Sequence, residues 1–282
     1  EFGSYAGFAT FCLTLLGGWV TVFSSNLYWM PFTLFFPTVT AAWTGYFFIR
    51  SASQWKKNVI ASFFIFVFFL LILIKSLMGY EYLSAVCISA TVPIFFYLMM
   101  ARQNKVKILL IFTAMGLTAC AAFATSLHMH YERLSNEFGS KIASDVIKSI
   151  VLKNTHSLSG NADLIPGHRV ESLNANTFVV ILFYIFSPIN KEGFFIPPIL
   201  ILAPSMCLAI NIFRSSGNCK KKALAITSAY SILAPLSWLL LAKAHSAHHF
   251  HLNFILWYLP TFYIMVSLVA FHYQTSKSKS RI

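Results

Sequence analysis

The sequence predicts an all-α protein, a polytopic transmembrane bundle of about eight helices, and two observations lead to this fold class. The 282-residue chain is 57% hydrophobic and only 10% charged, whereas soluble domains carry about 25% charged residues. Its apolar residues are also gathered in runs close to the roughly 20 residues that a helix needs to cross a bilayer. We therefore expect the lipid bilayer to be the main partner of the surface.

The apolar runs divide this single integral membrane domain into three regions. Residues 1–127 hold the first predicted spans, at 5–23, 30–49, 58–74, 82–101 and 108–127. Residues 128–192 are predicted to form an extracytoplasmic loop. Residues 193–282 hold the last predicted spans, at 193–213, 223–242 and 252–271.

The loop region 128–192 contains two shorter helical patterns. Over residues 134–150 apolar side chains recur every fourth position between charged ones, a pattern typical of an amphipathic helix on a membrane surface or against a helix bundle. The apolar run 178–186 is followed by Pro188 and has about half the length of a span. We expect this run to form an interfacial or re-entrant helix.

Basic residues predict the orientation of the spans. The formal net charge is +13, and many of the positive charges lie in short clusters between apolar runs: Arg50, Lys56, Lys57, Arg102, Lys105, Lys107, Arg214, Lys220, Lys221 and Lys222. Such clusters mark cytoplasmic loops. They orient membrane helices, so no nucleic-acid partner is expected, and both termini are predicted to be cytoplasmic.

The candidate site is the polar segment between the last two predicted spans, which faces the outer side in this topology. Its polar residues are Lys243, His245, His248, His249, His251 and Asn253. On a helix the first three histidines share one face. Histidines can bind a metal, transfer protons near neutral pH or donate hydrogen bonds to a phosphate. The middles of the predicted spans carry no charged residue or histidine, so we expect the chemistry at this outer interface rather than along a transport path.

A metal site is the first interpretation of the histidines. His245-x-x-His248-His249 resembles one histidine box of membrane di-iron desaturases and hydroxylases, and a divalent metal would then be the cofactor. Such enzymes need several boxes, and the other close pair is His128-Met-His130. We therefore assign no metal ligand, and a metal-dependent oxidoreductase stays the alternative function.

A phosphate site is the second interpretation. Lys243, His245 and His248 could meet Arg133 or Arg169 from the outer loop and form a cationic pocket at the depth of a lipid headgroup. Multidentate donors of this kind hold phosphates. A polyprenyl-phosphate-linked sugar would place its phosphate there, its tail between helices and its sugar in the outer aqueous cleft.

Three segments together resemble bacterial polytopic glycosyltransferases of the GT-C type. They are Ser25-Asn-Leu-Tyr28-Trp29 with Pro31, the outer segment with Arg133, and Lys243-Ala-His-Ser…His-Leu-Asn253…Trp257-Tyr258. The resemblance is to the C-terminal part of these proteins and covers most of the chain. It implies a polyprenyl-phosphate-linked sugar donor, a place in the bacterial inner membrane and a role in building cell-envelope polysaccharide.

The resemblance also implies an essential acidic residue in the first outer loop. Glu1 is the one acidic residue before Glu81, so we expect the catalytic acid to lie upstream and the chain to be a fragment. Two alternatives remain open at this point: the histidine-box oxidoreductase, and a non-catalytic flippase or assembly component for polysaccharide.

Overall fold

The computed structural model describes residues 3–16, 31–155, 176–187, 197–248 and 253–279. Every regular element within these ranges is a helix, which confirms the all-α prediction. Among the described residues, five helices are long and apolar enough to cross a membrane, and the protein is therefore compatible with an integral membrane protein. The count of about eight spans stays a prediction.

The helices of the first half pass back and forth along the bundle. They are α1 (Ser4–Leu16), α2 (Pro31–Arg50), α3 (Gln54–Met78), α4 (Leu83–Met100), α5 (Lys105–Phe138) and α6 (Ser140–Thr155). The second half contains α7 (Thr177–Phe186), α8 (Ile199–Ser215), α9 (Cys219–Ser231), α10 (Leu233–Leu241), α11 (Lys243–His248), a 3₁₀ helix (Asn253–Tyr258) and α12 (Thr261–Lys279). The five candidate spans are α2, α3, α4, α5 and the consecutive helices α9 and α10.

Helix α4 is the centre of the bundle. It packs against α2, α9 and α10, and 56% of its span is buried, compared with 11% for α5. Small side chains allow this close packing, since Ala85, Ser89 and Ala90 are fully buried. The Ser89 hydroxyl donates a 2.7 Å hydrogen bond to the Leu259 carbonyl and so connects α4 to the segment that precedes α12.

The basic loops meet at one end of the bundle, which we call the basic end. The Arg102 guanidinium, after α4, donates a 2.8 Å hydrogen bond to Sγ of Cys219 at the start of α9. The ammonium groups of Lys57 on α3 and Lys107 on α5 both lie near the ring of Phe48 on α2. The ends of α2 and α4 and the starts of α3, α5 and α9 therefore lie together on one side of the bundle.

Helix α1 runs antiparallel along α12. Tyr5 contacts Tyr273 with ring centroids 6.2 Å apart, and Thr14 donates a 3.3 Å hydrogen bond to the hydroxyl of Tyr263. The start of α1 and the end of α12 therefore lie together at the basic end. The opposite end, formed by residues 79–82 and by α11, is called the histidine end below.

The amphipathic segment at residues 134–150 differs from the prediction of one continuous helix. Helix α5 continues past the predicted span 108–127 and ends at Phe138, and the next residue, Gly139, has a positive φ of 88°. Glycine adopts this backbone conformation without steric cost, so the chain turns there and α6 begins. Ala143 is fully buried, while Ile142 is 52% exposed, so the buried face of α6 is not the predicted apolar stripe.

The predicted span 223–242 is two helices, α9 and α10, and proline chemistry explains the break. Pro235 lies in the first turn of α10, where its missing N–H is tolerated. It cannot donate to the Ser231 carbonyl four residues earlier, and that carbonyl instead accepts a 2.9 Å hydrogen bond from the Thr261 hydroxyl. The segment 252–271 is likewise divided into the 3₁₀ helix and α12, at Pro260.

The remaining predicted elements are found with small changes in their bounds. The run 178–186 forms the ten-residue helix α7, and the span 193–213 corresponds to α8, which begins at Ile199. The span 5–23 is described only up to Leu16. Residues 17–30, 156–175 and 188–196, with the aromatic turn at Tyr28 and Trp29, lie outside the described residues.

Candidate functional site

Helix α11 carries the first half of the predicted polar segment and sits within the histidine end. It packs against α6, α7 and α10. Small residues make this possible, since Ala244, Ser246 and Ala247 are all buried. Lys243, at the start of α11, is half-buried. Helices α6 and α7 therefore contact the polar segment.

His245 is enclosed by two aromatic rings. Its side chain is 8% exposed, and its ring meets those of Tyr82 and Trp238 edge-to-face, with centroids 6.1 Å and 5.5 Å apart. Tyr82 and Trp238 also contact each other at 5.3 Å. We call these three residues the aromatic cluster. Edge-to-face contacts of this kind are a preferred arrangement of aromatic rings and add to the packing of His245.

Helix α7 fixes α11 from the other side. The Tyr184 hydroxyl donates a 2.8 Å hydrogen bond to the Ser246 carbonyl, and both residues are fully buried. The predicted interfacial or re-entrant helix is therefore a packed part of the site, in contact with both α10 and α11.

Lys75 is a buried basic residue of the histidine end that the sequence analysis missed. It lies in the last turn of α3, is 5% exposed, and its ammonium donates a 2.7 Å hydrogen bond to the Gly79 carbonyl. Glu81 is close enough to interact with it electrostatically. A lysine at the end of an apolar run normally indicates an interfacial anchor, so its burial could not be predicted from the sequence.

A cleft lies between α5 and α6, and we call it the outer cleft. Its volume is about 330 Å³, and its lining includes Tyr80, His130, Arg133, Glu137 and Val146. The Tyr80 hydroxyl is hydrogen-bonded to Nδ1 of His130. Burial raises the pKa of Tyr80, so this phenol stays protonated through neutral pH and can donate to a ligand or to His130.

Arg133 belongs to the outer cleft rather than to the immediate surroundings of His245. Its Nε lies 3.4 Å from the Glu137 carboxylate one turn away, and its side chain is 78% exposed. Neither Lys243 nor His245 is part of the described lining of this cleft. Helix α6 contacts both α5 and α11 and so connects the two groups of residues.

The other predicted site residues are described in part. His248 ends α11, three residues after His245 on the same helix, and Asn253 begins the 3₁₀ helix. Arg169, His249 and His251 lie outside the described residues, so the structure does not test the full histidine box. Among the residues that are described, no three His, Cys, Asp or Glu side chains come close enough together to hold a metal ion.

The fold and the site define the class of this chain: an all-helical protein, compatible with an integral membrane protein, with buried polar residues at the histidine end. No protein-family model, no curated protein and no solved structure matches it. Its function must therefore be argued from its own residues.

Proposed function

We propose that this is a membrane glycosyltransferase-like protein that handles a polyprenyl-phosphate-linked sugar at the histidine end. The observation that carries the lipid-phosphate part is the burial of basic side chains there. Lys75 and His245 are almost fully buried, and Lys243, two residues before His245, is half-buried. Placing basic groups at such depth is costly, and a lipid phosphate would compensate for that cost with charge-assisted hydrogen bonds.

The geometry supports a division of the ligand among three environments. The phosphate would be bound by Lys243 and His245 at the end of the bundle, and the polyprenyl tail would extend into the bilayer between helices. The sugar would face the outer cleft, where Tyr80, Arg133 and Glu137 offer hydrogen-bond donors and acceptors. Sugar hydroxyls need such mixed polar partners, whereas the tail needs none.

The transfer step follows from the chemistry of the donor and is supported by the GT-C resemblance. An acceptor hydroxyl attacks the anomeric carbon, the bond from that carbon to the phosphate oxygen breaks, and the phosphate leaves with the electron pair. The proton of the hydroxyl passes to a general base, which we leave unassigned. Lys243 and His245 would stabilise the negative charge that develops on the leaving phosphate.

The orientation belongs to the same proposal. The basic end, with both described termini, would face the cytoplasm according to the positive-inside rule. The histidine end would then face the extracytoplasmic side of the bacterial inner membrane, where an acceptor for envelope polysaccharide is presented.

Binding of a polyprenyl phosphate to the purified protein in lipid nanodiscs tests this function. Lys243→Ala and His245→Ala should each weaken binding roughly tenfold or more, because one hydrogen bond to a charged group contributes about 1.5–3 kcal/mol. Lys148→Ala is the matched control, since Lys148 is exposed on α6 near the same end and its loss changes the net charge equally.

Unchanged affinity in both site variants would refute the phosphate site. Stoichiometric iron that is lost in His248→Ala would favour the oxidoreductase. Movement of the lipid across the membrane without any sugar transfer would favour the flippase or assembly component.

A further inference from the structure

A groove between α2, α3, α4 and α5 opens near the basic end, far from the histidine end. Its volume is about 470 Å³ and its walls are almost entirely apolar. Small residues create the space: Gly45, Ala61, Ser62 and Ala114. On α5 the groove is lined by Lys107, Leu110, Ile111 and Ala114, which share one helix face. It therefore extends about 10 Å along α5 from the basic end into the membrane.

Lys107 is part of the groove wall, and Lys57 lies near the same aromatic ring as Lys107. The Lys107 ammonium lies 5.6 Å and the Lys57 ammonium 5.9 Å from the ring centroid of Phe48, which is itself part of the wall. Both lysines are half-buried, whereas their neighbour Lys105 is exposed. An anion at this end of the groove would be attracted by both positive charges.

The described protein offers no such anion at this end. Its acidic residues are Glu81, Glu132, Glu137 and Asp145, and all of them lie at the histidine end, on residues 79–82, the end of α5 or α6. The charge of Lys57 and Lys107 is therefore balanced by no carboxylate within the part of the chain that the structure describes. An external anion is the complementary partner.

We propose that this groove binds one acyl chain of an anionic phospholipid, with the lipid phosphate held by Lys107 and Lys57. The inference does not depend on the proposed glycosyl transfer, because the groove lies at the opposite end of the bundle. Lipid tails are as apolar as the groove wall, so the acyl chain alone gives little selectivity among lipids. The phosphate between two ammonium groups supplies it, as in basic pockets between membrane helices that bind lipid headgroups.

Charge favours a lipid over a helix from a second copy as the occupant of the groove. The groove wall is apolar and Lys107 is part of it, so a ligand that joins an apolar chain to a negative headgroup is complementary to it. A second copy of this protein offers no carboxylate at the basic end among the described residues.

Native mass spectrometry of the full chain, released from nanodiscs with equal amounts of phosphatidylglycerol and phosphatidylcholine, tests the site. The expected result is retention of about one phosphatidylglycerol per protein in preference to phosphatidylcholine. Lys107→Gln should reduce this preference about fivefold, in line with the contribution of one lysine near a membrane surface. Lys105→Gln is the matched control and should leave the preference unchanged, because Lys105 is not part of the groove.

A second variant tests whether the acyl chain binds in the groove, independently of the headgroup. Ala114→Phe fills the groove without changing any charge, and Ala114 is exposed, so the fold should tolerate it. It should reduce retention of phosphatidylglycerol, whereas Ala121→Phe, at another exposed position of α5, should not.

Three results would overturn the proposal. Equal effects of Lys107→Gln and Lys105→Gln would show a diffuse attraction to the basic end. Unchanged retention in Ala114→Phe would show that no chain enters the groove. A dimer that Ala114→Phe dissociates would show that a second copy occupies it.

Discussion

The hydrogen bond between Tyr184 and α11 gives the sharpest test of how the candidate site is held. The Tyr184 hydroxyl lies 2.8 Å from the Ser246 carbonyl, and both residues are fully buried. Tyr184→Phe keeps the ring that packs between α7 and α10 but removes the donor. The variant therefore isolates one polar contact between α7 and the helix that carries Lys243 and His245.

The magnitude follows from the burial of both partners. A buried acceptor that loses its donor costs about 1–3 kcal/mol, whereas hydrogen bonds between membrane helices average about 0.6 and reach about 1.7 kcal/mol. We expect a loss of roughly 1–1.5 kcal/mol of unfolding free energy, within both ranges. For a chain of this size that corresponds to a decrease in Tm of roughly 2–6 °C.

Thermal unfolding in detergent, followed by tryptophan fluorescence, measures the effect. Tyr273→Phe is the control, because Tyr273 is 56% exposed and lies at the basic end. Binding of polyprenyl phosphate should weaken only in Tyr184→Phe, since α11 is then less firmly held. Equal Tm values for the two variants would show that this bond does not stabilise α11, and the reasoning would fail.

Two further predictions concern the ends of the bundle. The first uses single-cysteine variants and a membrane-impermeant maleimide. Ser140→Cys should be labelled on intact cells, whereas the exposed native Cys219 should be labelled only after permeabilisation. The reverse pattern would mean that the orientation is inverted. Burial raises the pKa of Tyr80, so its contribution to stability is complete below pH about 10 and is lost as pH rises through the folded pKa. Tyr80→Phe should therefore show less destabilisation at high pH than the native protein; an unchanged alkaline profile would contradict this.

Run length and composition predicted the helices because a membrane span must be long and apolar. The predicted spans 30–49, 58–74 and 82–101 lie within or close to α2, α3 and α4. The amphipathic pattern was less informative. Residues 134–150 have helical periodicity throughout, but periodicity does not register a single backbone position, and Gly139 divides the segment into α5 and α6.

The candidate site was only partly visible in the sequence. The density of histidines pointed to α11, and its role as a binding site stays a prediction. Tyr82 and Trp238, which enclose His245, are apolar or weakly polar residues in distant runs. Their proximity depends on how α4 and α10 pack, which no local pattern encodes. Lys75 was missed for the same reason, since its burial is a property of the bundle and not of α3.

The distribution of charge between the two ends explains why a membrane orientation is easier to predict from the sequence than a binding site. At the basic end the described residues include no carboxylate, so an anion there is attracted by the sum of the lysines and arginines, and simple counting captures that sum. At the histidine end Glu81 and Glu137 lie near Lys75 and Arg133. The charges partly cancel, so the phosphate recognition that we propose would depend on the placement of Lys243 and His245 against the aromatic cluster and α7. A site of that kind is defined by packing, and its loss in Tyr184→Phe would be a loss of geometry with no change in charge.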